Sequence, residues 1–368
     1  MATSTRGTPA SLIVPRRDGR HPARIAVTAL VGVGVSVLAG CGPTGPAVAP
    51  PSAGSARPAV APSFAASDGP AVAAPSARSA GAAATALAAT LPLVRPTSRR
   101  PCVGAAVPKR YAHVTWIVME NKAIGSALSR SAPTTRAYGA ACGIATAYHG
   151  VTHPSLPNYL AMTSGSTHGV TDDANPSAHR IAGRSIFSQA TAARLGWATY
   201  AESMPTVCRP TSSGRYAVRH NPAVYYTPLA SVCRHADVAM GTPTRGPLLR
   251  ALRTGHLPGF TLMVPDLCSD THDCSVAIGD RWLARWLAVI LSSRLYAAGR
   301  TAVFVTWDED DNSHANRVLL LMIAPSVRPH TVVRATYNHL NLLRTTEDML
   351  GLPALVPRAA SLRRPARI

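Results

Sequence analysis

Short apolar runs that alternate with helical segments set the strongest limit on how this chain can fold. The runs lie at residues 111–119, 196–200, 260–264, 302–306 and 318–323, and they are rich in β-branched and aromatic residues. Runs without a clean polar alternation are typical of strands that are buried on both faces. The alternation of strands with helices predicts an α/β fold, in which a mostly parallel sheet carries helices on both faces.

Two of the intervening segments carry clear helix signals. Residues 281–295 place large apolar side chains on one face, and Asp280 is predicted to be the N-cap of this helix. Residues 341–350 are followed by Gly351 and by a proline two positions later, a combination that is typical of a helix end.

Residues 1–100 differ in composition from the rest of the chain. Several arginines precede an apolar run at residues 25–39 that is short for a membrane span, and this arrangement is typical of a secretory signal. The run ends at Leu38-Ala39-Gly40-Cys41, which resembles a bacterial lipobox and implies cleavage before Cys41 and attachment of lipid to its thiol. We therefore expect a signal peptide at residues 1–40. The exported chain is expected to be a cell-membrane lipoprotein that faces outward, or a secreted protein.

Residues 41–100 are predicted to be a disordered tether that begins at Cys41. The segment consists largely of Ala, Pro, Ser and Gly, so it cannot bury enough apolar surface to offset the entropy of ordering it. The alternative is a long export remnant without a role. Residues 101–368 are then predicted to form the folded domain.

Six further cysteines form an even set, which favours disulfides in an exported protein. The sequence alone leaves their connectivity open. The pairings that we favour are the local ones, Cys268–Cys274 and Cys208–Cys233, which leave Cys102–Cys142.

The net charge of +20 comes almost wholly from arginine, since the lysines are Lys109 and Lys122 alone. Such a charge can steer anionic substrates or surfaces towards a protein. Because the basic residues are scattered and aromatic residues are few, we expect no binding of nucleic acid, and we expect a monomer.

Acidic side chains follow three of the predicted strands. They are Glu120 after the first, Asp266 and Asp270 after the third, and the run from Asp308 to Asp311 after the fourth. Each group by itself fits a turn or a solvated loop. Together they lie at the carboxyl edge of the sheet, where α/β folds bind ligands. Like charges crowded at one edge require a cation, and a divalent metal is the simplest one.

The segment HPSLPNYLAMTSG at residues 153–165 places a serine at the start of a predicted helix. Pro157 suits the first turn and Gly165 suits the end. Ser155 either caps this helix or is a nucleophile at its positive end. Backbone N–H groups there bind phosphoryl oxygens, and a nearby cation would lower the pKa of the hydroxyl. The segment therefore favours phosphoryl transfer over acyl transfer.

Taken in order, these motifs resemble the phosphoesterase family of bacterial acid phosphatases and phospholipases C, within the alkaline phosphatase superfamily. The resemblance spans residues 110–355 and extends to the small secreted acid phosphatases of actinobacteria, including the phosphatidylinositol-3-phosphatase type. The matching pieces are ENK from residue 120, THPSLPNYLAMTSG from 152, YAVRHNP from 216, PDLCSDTHDCSVAIGDRWL from 265, TWDEDD from 306 and YNHLNLLRTTEDMLGLP from 337.

The resemblance implies an alkaline phosphatase-like three-layer sandwich and an acid phosphatase that hydrolyses phosphate monoesters, including phosphoinositides, through a phosphoserine. Ser155 would be the nucleophile, Asn158 would contact a phosphoryl oxygen, and His220 and His272 would bind the phosphate, one of them protonating the leaving oxygen. Residues with a supporting or substrate-binding role would be His153, Asp266, Asp270, Asn316 and His339.

The resemblance also implies one divalent metal ion (Ca, Mg, Mn or Zn) held by Glu120, Asn121, Asp308 and Glu309. Members with two zinc ions use paired Asp and His ligands. Here Glu309 and Asp270 occupy positions of such histidines, which favours one hard cation bound by oxygens. Two other functions remain open: a phospholipase C-like phosphodiesterase that acts on lipid headgroups, and a surface lipoprotein that binds polyanions without catalysis.

Overall fold

The computed structural model describes residues 96–368, in which nine strands form one mixed sheet. The predictions for the signal peptide, for the lipobox cysteine and for the tether up to residue 95 lie outside the described residues. The strands are β1 (His113–Met119), β2 (Gly143–His149), β3 (Trp197–Ala201), β4 (Asp237–Ala239), β5 (Phe260–Val264), β6 (Thr301–Trp307), β7 (Arg317–Ile323), β8 (Thr331–Val333) and β9 (Tyr337–Asn338).

The order of the strands is β4-β3-β5-β1-β6-β7-β2-β8, and β9 also pairs with β2. Strand β7 runs antiparallel to its neighbours β6 and β2, whereas the other pairs in the described sheet are parallel. Strands β3, β5 and β6 are buried at every position. The mostly parallel sheet and the two-sided burial of these strands were both predicted from the sequence, and both are confirmed.

Helices cover both faces of this sheet. Helices α3, α4 and α9 pack together as one group, and α2, α7 and α8 form a second group. On the first face, the indole nitrogen of Trp116 in β1 donates a hydrogen bond of 3.0 Å to Thr346 of α9. The helices are α1 (Ile124–Ala127), α2 (Pro133–Ala141), α3 (Ser155–Ser164), α4 (Ile186–Ala192), α5 (Cys233–Ala236), α6 (Pro247–Thr254), α7 (Val276–Leu291), α8 (Arg294–Ala297), α9 (His339–Leu350) and α10 (Arg363–Ala366).

The prediction that Asp280 caps the long helix is wrong. Helix α7 begins one turn earlier, after Ser275, and Asp280 lies inside it. Its carboxylate accepts hydrogen bonds from the backbone N–H groups of Thr134 and Thr135, at 2.9 and 2.8 Å, and from the Thr135 hydroxyl. Asp280 therefore satisfies free N–H groups at the start of α2. One of these groups belongs to Thr135, which is 145 residues from Asp280 in sequence.

Helix α9 confirms the second predicted helix and begins two residues earlier than expected. It ends at Gly351, whose φ of 71° is in the left-handed region that favours glycine. All three favoured disulfides are present: Cys102–Cys142, Cys208–Cys233 and Cys268–Cys274. Over residues 96–368, none of the helices has both the length and the apolar character that a membrane crossing requires.

Candidate active site

Ser155 is the first residue of α3, and its side chain is almost fully buried. The hydroxyl donates a hydrogen bond of 3.0 Å to Oε2 of Glu120, the residue that follows β1. The interpretation of Ser155 as the N-cap is therefore wrong, because its side chain turns towards the end of the sheet and Pro154 takes the N-cap position. The N–H of Leu156, next in the helix, donates to Oδ1 of Asp173 at 2.9 Å.

Glu120 lies at the centre of the site and has no exposed surface. Its second oxygen accepts a hydrogen bond from the hydroxyl of Tyr159, one turn along α3. Burial raises the pKa of Glu120 well above its ordinary value, and the nearby carboxylates of Asp308 and Asp270 raise it further. The negative charge of Glu120 is thus unfavourable in the protein alone.

His220 lies between two buried carboxyl groups. Its Nε2 is 3.2 Å from Oε2 of Glu120, and its Nδ1 is 3.4 Å from Oδ2 of Asp270. The ring stacks on that of Tyr159, with 5.4 Å between centroids. Burial lowers the pKa of His220 well below its ordinary value, and the nearby Arg219 lowers it further. Burial raises the pKa of Asp270 to about 7.

Asp308 and Glu309 follow β6. With Glu120 and Asp270 they form a cluster of buried carboxyl groups, the acidic centre. Oδ1 of Asp308 accepts a hydrogen bond from the backbone N–H of Asn121 at 3.2 Å, and burial raises its pKa to about 6. Burial, together with the charge of Asp308, raises the pKa of Glu309 to about 9. Oε2 of Glu309 accepts a hydrogen bond from the Asn158 amide at 3.0 Å and lies 3.2 Å from Nδ1 of His153.

Several buried atoms of this centre fit a bound divalent cation. Among residues 96–368, Nε2 of His220, Oδ2 of Asp270 and Oδ2 of Asp308 are buried without a hydrogen-bond partner. Glu120, His220 and Asp270 each offer one ligand atom within 4.8 Å of the others. A set of carboxylate oxygens with one imidazole nitrogen suits a divalent metal. A cation would also offset the repulsion that raises the pKa values of these carboxyl groups.

His272 lies at the open side of the centre, and 30 % of its side chain is exposed. Its Nδ1 is 2.6 Å from Oδ1 of Asp273, and its Nε2 is 3.3 Å from a guanidinium nitrogen of Arg219. The centroids of the His272 and His220 rings are 6.2 Å apart. Of the two histidines that were expected to bind phosphate, His272 is partly exposed, whereas His220 is buried between Glu120 and Asp270.

The sequence predicted no role for three residues of the site: Tyr159, Arg219 and Asp173. Nε of Arg219 is 3.6 Å from Oδ2 of Asp173. Arg219 lies inside the YAVRHNP segment that resembles the family. Its position next to His220 was the sequence feature that could have identified it as a site residue. Asp173 lies outside all six segments that resemble the family. Its contact with Leu156 of α3 is visible only in the folded structure.

Two predicted site residues, Asn158 and Asn316, hydrogen-bond to backbone oxygens near the start of α3. The Asn158 amide donates to the backbone oxygens of Thr152 and Pro154, at 2.7 and 3.2 Å, and also to Glu309, so both of its hydrogens are engaged within the protein. The amide of Asn316 donates to the Thr152 oxygen at 2.8 Å. Asn158 and Asn316 therefore hold the loop before α3, and their expected contact with the substrate stays a prediction.

His339 and Asp266 also lie behind the site. The His339 ring has no exposed surface, with Nδ1 3.0 Å from the Tyr148 hydroxyl and Nε2 2.5 Å from the backbone oxygen of Asp308. Burial lowers the pKa of His339 to about 4. Asp266 accepts hydrogen bonds from the Ser203 hydroxyl and from two backbone N–H groups of the loop that carries Asp270. His339 therefore supports the Asp308 backbone, and its expected contact with the substrate stays a prediction.

The turn that carries Arg219 and His220 is held by a buried pair of side chains. The amide nitrogen of Asn221 lies 2.9 and 3.0 Å from the two carboxyl oxygens of Asp237. Burial raises the pKa of Asp237 to about 7. The folded protein therefore retains a proton on Asp237 that the unfolded chain releases near pH 4. This group favours folding most at low pH, and its contribution is lost as the pH rises towards 7.

We expect Asp237→Asn to remove this pH dependence. Relative to the wild type, the variant should be more stable by roughly 2 kcal/mol or more at pH 8 and about equally stable at pH 4. Urea unfolding at the two pH values, without reductant, measures the difference. The matched control is Asp348→Asn, because Asp348 is partly exposed in a surface pair with Arg344. A gain in stability that is the same at both pH values would contradict the prediction.

Comparison with known proteins gives one consistent result. The model of the phosphoesterase family matches residues 112–353. The chain is 32 % identical over 248 residues to the phosphatidylinositol-3-phosphatase of Mycobacterium tuberculosis, a match that covers 66 % of this chain and 78 % of that protein. It is 25 % identical over 223 residues to an acid phosphatase of Aspergillus fumigatus, covering 57 % of this chain and 48 % of that protein. The chain thus spans about half the length of the fungal relative.

A solved structure shares the fold at low sequence identity. It is a protein of the alkaline phosphatase superfamily from Vibrio parahaemolyticus, with a TM-score of 0.50, 11 % identity, and coverage of 73 % of this chain and 71 % of that one. The fold class that was predicted from the sequence is confirmed by this likeness and by the sheet described above. The family match and the 32 % identity show that the chain belongs to the phosphoesterase family and is a hydrolase that acts on phosphoric ester bonds.

Proposed function

We propose that this chain is an exported acid phosphatase that hydrolyses phosphate monoesters through a phosphoserine intermediate on Ser155. The observation that carries the proposal is the position of the Ser155 hydroxyl, at the start of α3 and 3.0 Å from Glu120. A nucleophile at the positive end of a helix suits the attack on an anionic phosphoryl group. The activities named for the relatives, acid phosphatase and phosphatidylinositol-3-phosphatase, support the same reaction.

In the first step the Ser155 oxygen attacks phosphorus and the bond to the leaving alcohol breaks. Because its hydroxyl proton is directed to Glu120, the lone pairs of the oxygen are free for this attack. His272, which is partly exposed and whose Nδ1 is oriented by Asp273, protonates the leaving oxygen through Nε2. Nε2 can carry this proton once the Arg219 guanidinium, which faces it at 3.3 Å, has moved away. In the second step water attacks phosphorus and passes a proton to His272, the bond between Oγ and phosphorus breaks, and Oγ takes back its proton from Glu120.

The residues that would hold one divalent cation are Glu120, Asp308, Asp270 and His220, with Asn121 and Glu309 as further donors at the same edge. Such a cation, when bound, would lower the pKa of the serine hydroxyl and offset the charge of the phosphoryl group. The support for this assignment is that three of these side chains each have a buried polar atom with no hydrogen-bond partner among the described residues. The metal assignment differs from the sequence prediction in adding His220 and Asp270.

The proposed substrates are phosphate monoesters, including phosphoinositides, because one relative is named for that activity. We also propose that the chain acts outside the cell, anchored through lipid on Cys41 or secreted, on the basis of residues 1–41.

A substrate panel tests this function. Purified protein should release inorganic phosphate from p-nitrophenyl phosphate and from phosphatidylinositol 3-phosphate, and chelation by EDTA should abolish the release. Release of diacylglycerol from phosphatidylcholine, without phosphate release from the monoesters, would replace the proposal with a phospholipase C-like phosphodiesterase. Absence of turnover on every substrate in the presence of Ca, Mg, Mn and Zn would favour a surface protein that binds polyanions.

A further inference from the structure

A carboxylate of the chain itself lies at the positive end of α3. Oδ1 of Asp173 accepts the N–H of Leu156, the residue next to the proposed nucleophile, at 2.9 Å. Asp173 belongs to the segment between α3 and α4, which begins at the end of α3 and brings Asp173 back to the start of that helix. An anion thus already occupies the N–H that would otherwise be available to a phosphoryl oxygen.

The second oxygen of the same carboxylate faces a cation. Oδ2 of Asp173 lies 3.6 Å from Nε of Arg219, and the other end of this guanidinium lies 3.3 Å from Nε2 of His272. The backbone N–H binds one oxygen of the anion and the guanidinium binds the other. Such a pair of donors can bind a phosphate as well as a carboxylate. Both donors are next to residues of the centre, since Leu156 follows Ser155 and Arg219 precedes His220.

Asp173 can leave these donors without opening the core. Its side chain is 35 % exposed, and that of Arg219 is 20 % exposed. Beside them, His220 and Asp308 each present a buried polar atom that lacks a partner within residues 96–368. Asp173 thus bridges the helix start and the guanidinium, and each of these donors adjoins in sequence a residue that contacts Glu120 of the acidic centre.

We propose that Asp173 is a gating residue, which holds the Leu156 N–H and Arg219 until the phosphoryl group of the substrate displaces it and takes over both donors. The proposal rests on the proposed function for the identity of the incoming anion. It assigns Arg219 to the binding of phosphoryl oxygens. The apparent affinity for phosphate is then lower than the intrinsic affinity by the fraction of molecules in which Asp173 has moved away.

Calorimetric titration of the full chain with inorganic phosphate tests this role. Asp173→Ala should bind phosphate about 10-fold more tightly than the wild type, because a charge-assisted competitor is removed. Arg219→Ala should bind phosphate at least about 10-fold more weakly. When Arg219 is also replaced by alanine, Asp173→Ala should increase the phosphate affinity by a smaller factor. Of the two donors that Asp173 occupies, only the Leu156 N–H then remains.

The control is Asp172→Ala, which removes the same charge one residue away. Asp172 pairs with His179 and accepts the N–H of Ala174, so its loss should change the phosphate affinity by less than about 2-fold. Asp173→Asn keeps a short polar side chain at the loop and should shift affinity in the same direction if the alanine variant folds poorly.

The gating role is overturned if Asp173→Ala and Asp173→Asn bind phosphate no more tightly than the wild type. It is also overturned if Asp172→Ala tightens binding as much as Asp173→Ala does, because the effect would then be one of overall charge. Turnover of p-nitrophenyl phosphate is measured separately. An inactive wild type would contradict the proposed function, while the ratio of the phosphate affinities would still decide the role of Asp173.

Discussion

Ser155→Ala is expected to lower kcat for p-nitrophenyl phosphate by at least about 1,000-fold, because the variant lacks the oxygen that attacks phosphorus. The change should leave the fold intact. Within the described residues the hydroxyl is bonded to Glu120 and does not cap α3, so its loss removes no support of the helix. The KM should change much less than kcat, since the phosphoryl-binding donors remain.

The matched control is Ser164→Ala, at the other end of the same helix. The Ser164 hydroxyl donates to the backbone oxygen of Leu160 and lies 2.8 Å from Nε2 of His168, and its removal should leave kcat within about 3-fold of the wild type. Intact-mass analysis of acid-quenched protein should show one added phosphoryl group in the wild type and none in Ser155→Ala. Retention of turnover by Ser155→Ala, with unchanged unfolding, would exclude the nucleophile assignment.

Asp308→Asn is expected to weaken the binding of the divalent cation by at least roughly 100-fold, and to lower turnover in parallel. Asp308 has no exposed surface, and its Oδ2 lacks a hydrogen-bond partner within residues 96–368. An asparagine keeps the shape and the contact with the Asn121 N–H but removes the charge that attracts a cation. The loss of affinity should therefore occur without loss of the fold.

Metal analysis of the purified variants, together with metal titration after chelation, measures this effect. The control is Glu347→Gln, a buried acid in α9 whose side chain accepts the N–H of Leu355 and lies outside the acidic centre. Its metal content should equal that of the wild type. Equal metal affinity in Asp308→Asn and the wild type would contradict the assignment of this residue, whatever happens to turnover.

The strands that the sequence predicted are those whose burial leaves a strong pattern. Strand β5 has the predicted bounds, and β1, β3, β6 and β7 differ from prediction by one or two residues. Strand β2 was missed because its sequence, GIATAYH, mixes buried and half-buried positions with small residues. Strands β4, β8 and β9 have three or two residues each, which is too short for a periodic signal.

The local sequence also predicted which side chains form the site, but not which of them contact one another. Glu120, Ser155 and Asp308 were expected at one place, because each lies at a strand end or a helix start that faces the carboxyl edge of the sheet. We propose metal-ligand roles for His220 and Asp270 that the sequence did not predict, since the depth of a side chain below the surface depends on segments that are distant in the chain. His220 meets Glu120 and Asp270 only after three separate segments pack together.

The sequence alone thus determined which chemical groups the site can use and approximately where the strongest strands end. Both depend on the local pattern of apolar and polar residues. Asp280 shows what the tertiary structure decided: an acid with a plausible local cap instead supports a helix far away in sequence. Asp173 shows the same for function, because only the folded loop brings its carboxylate to the N–H beside Ser155. Hydrogen bonds and charge pairs depend on distances in space, and a linear pattern does not contain them.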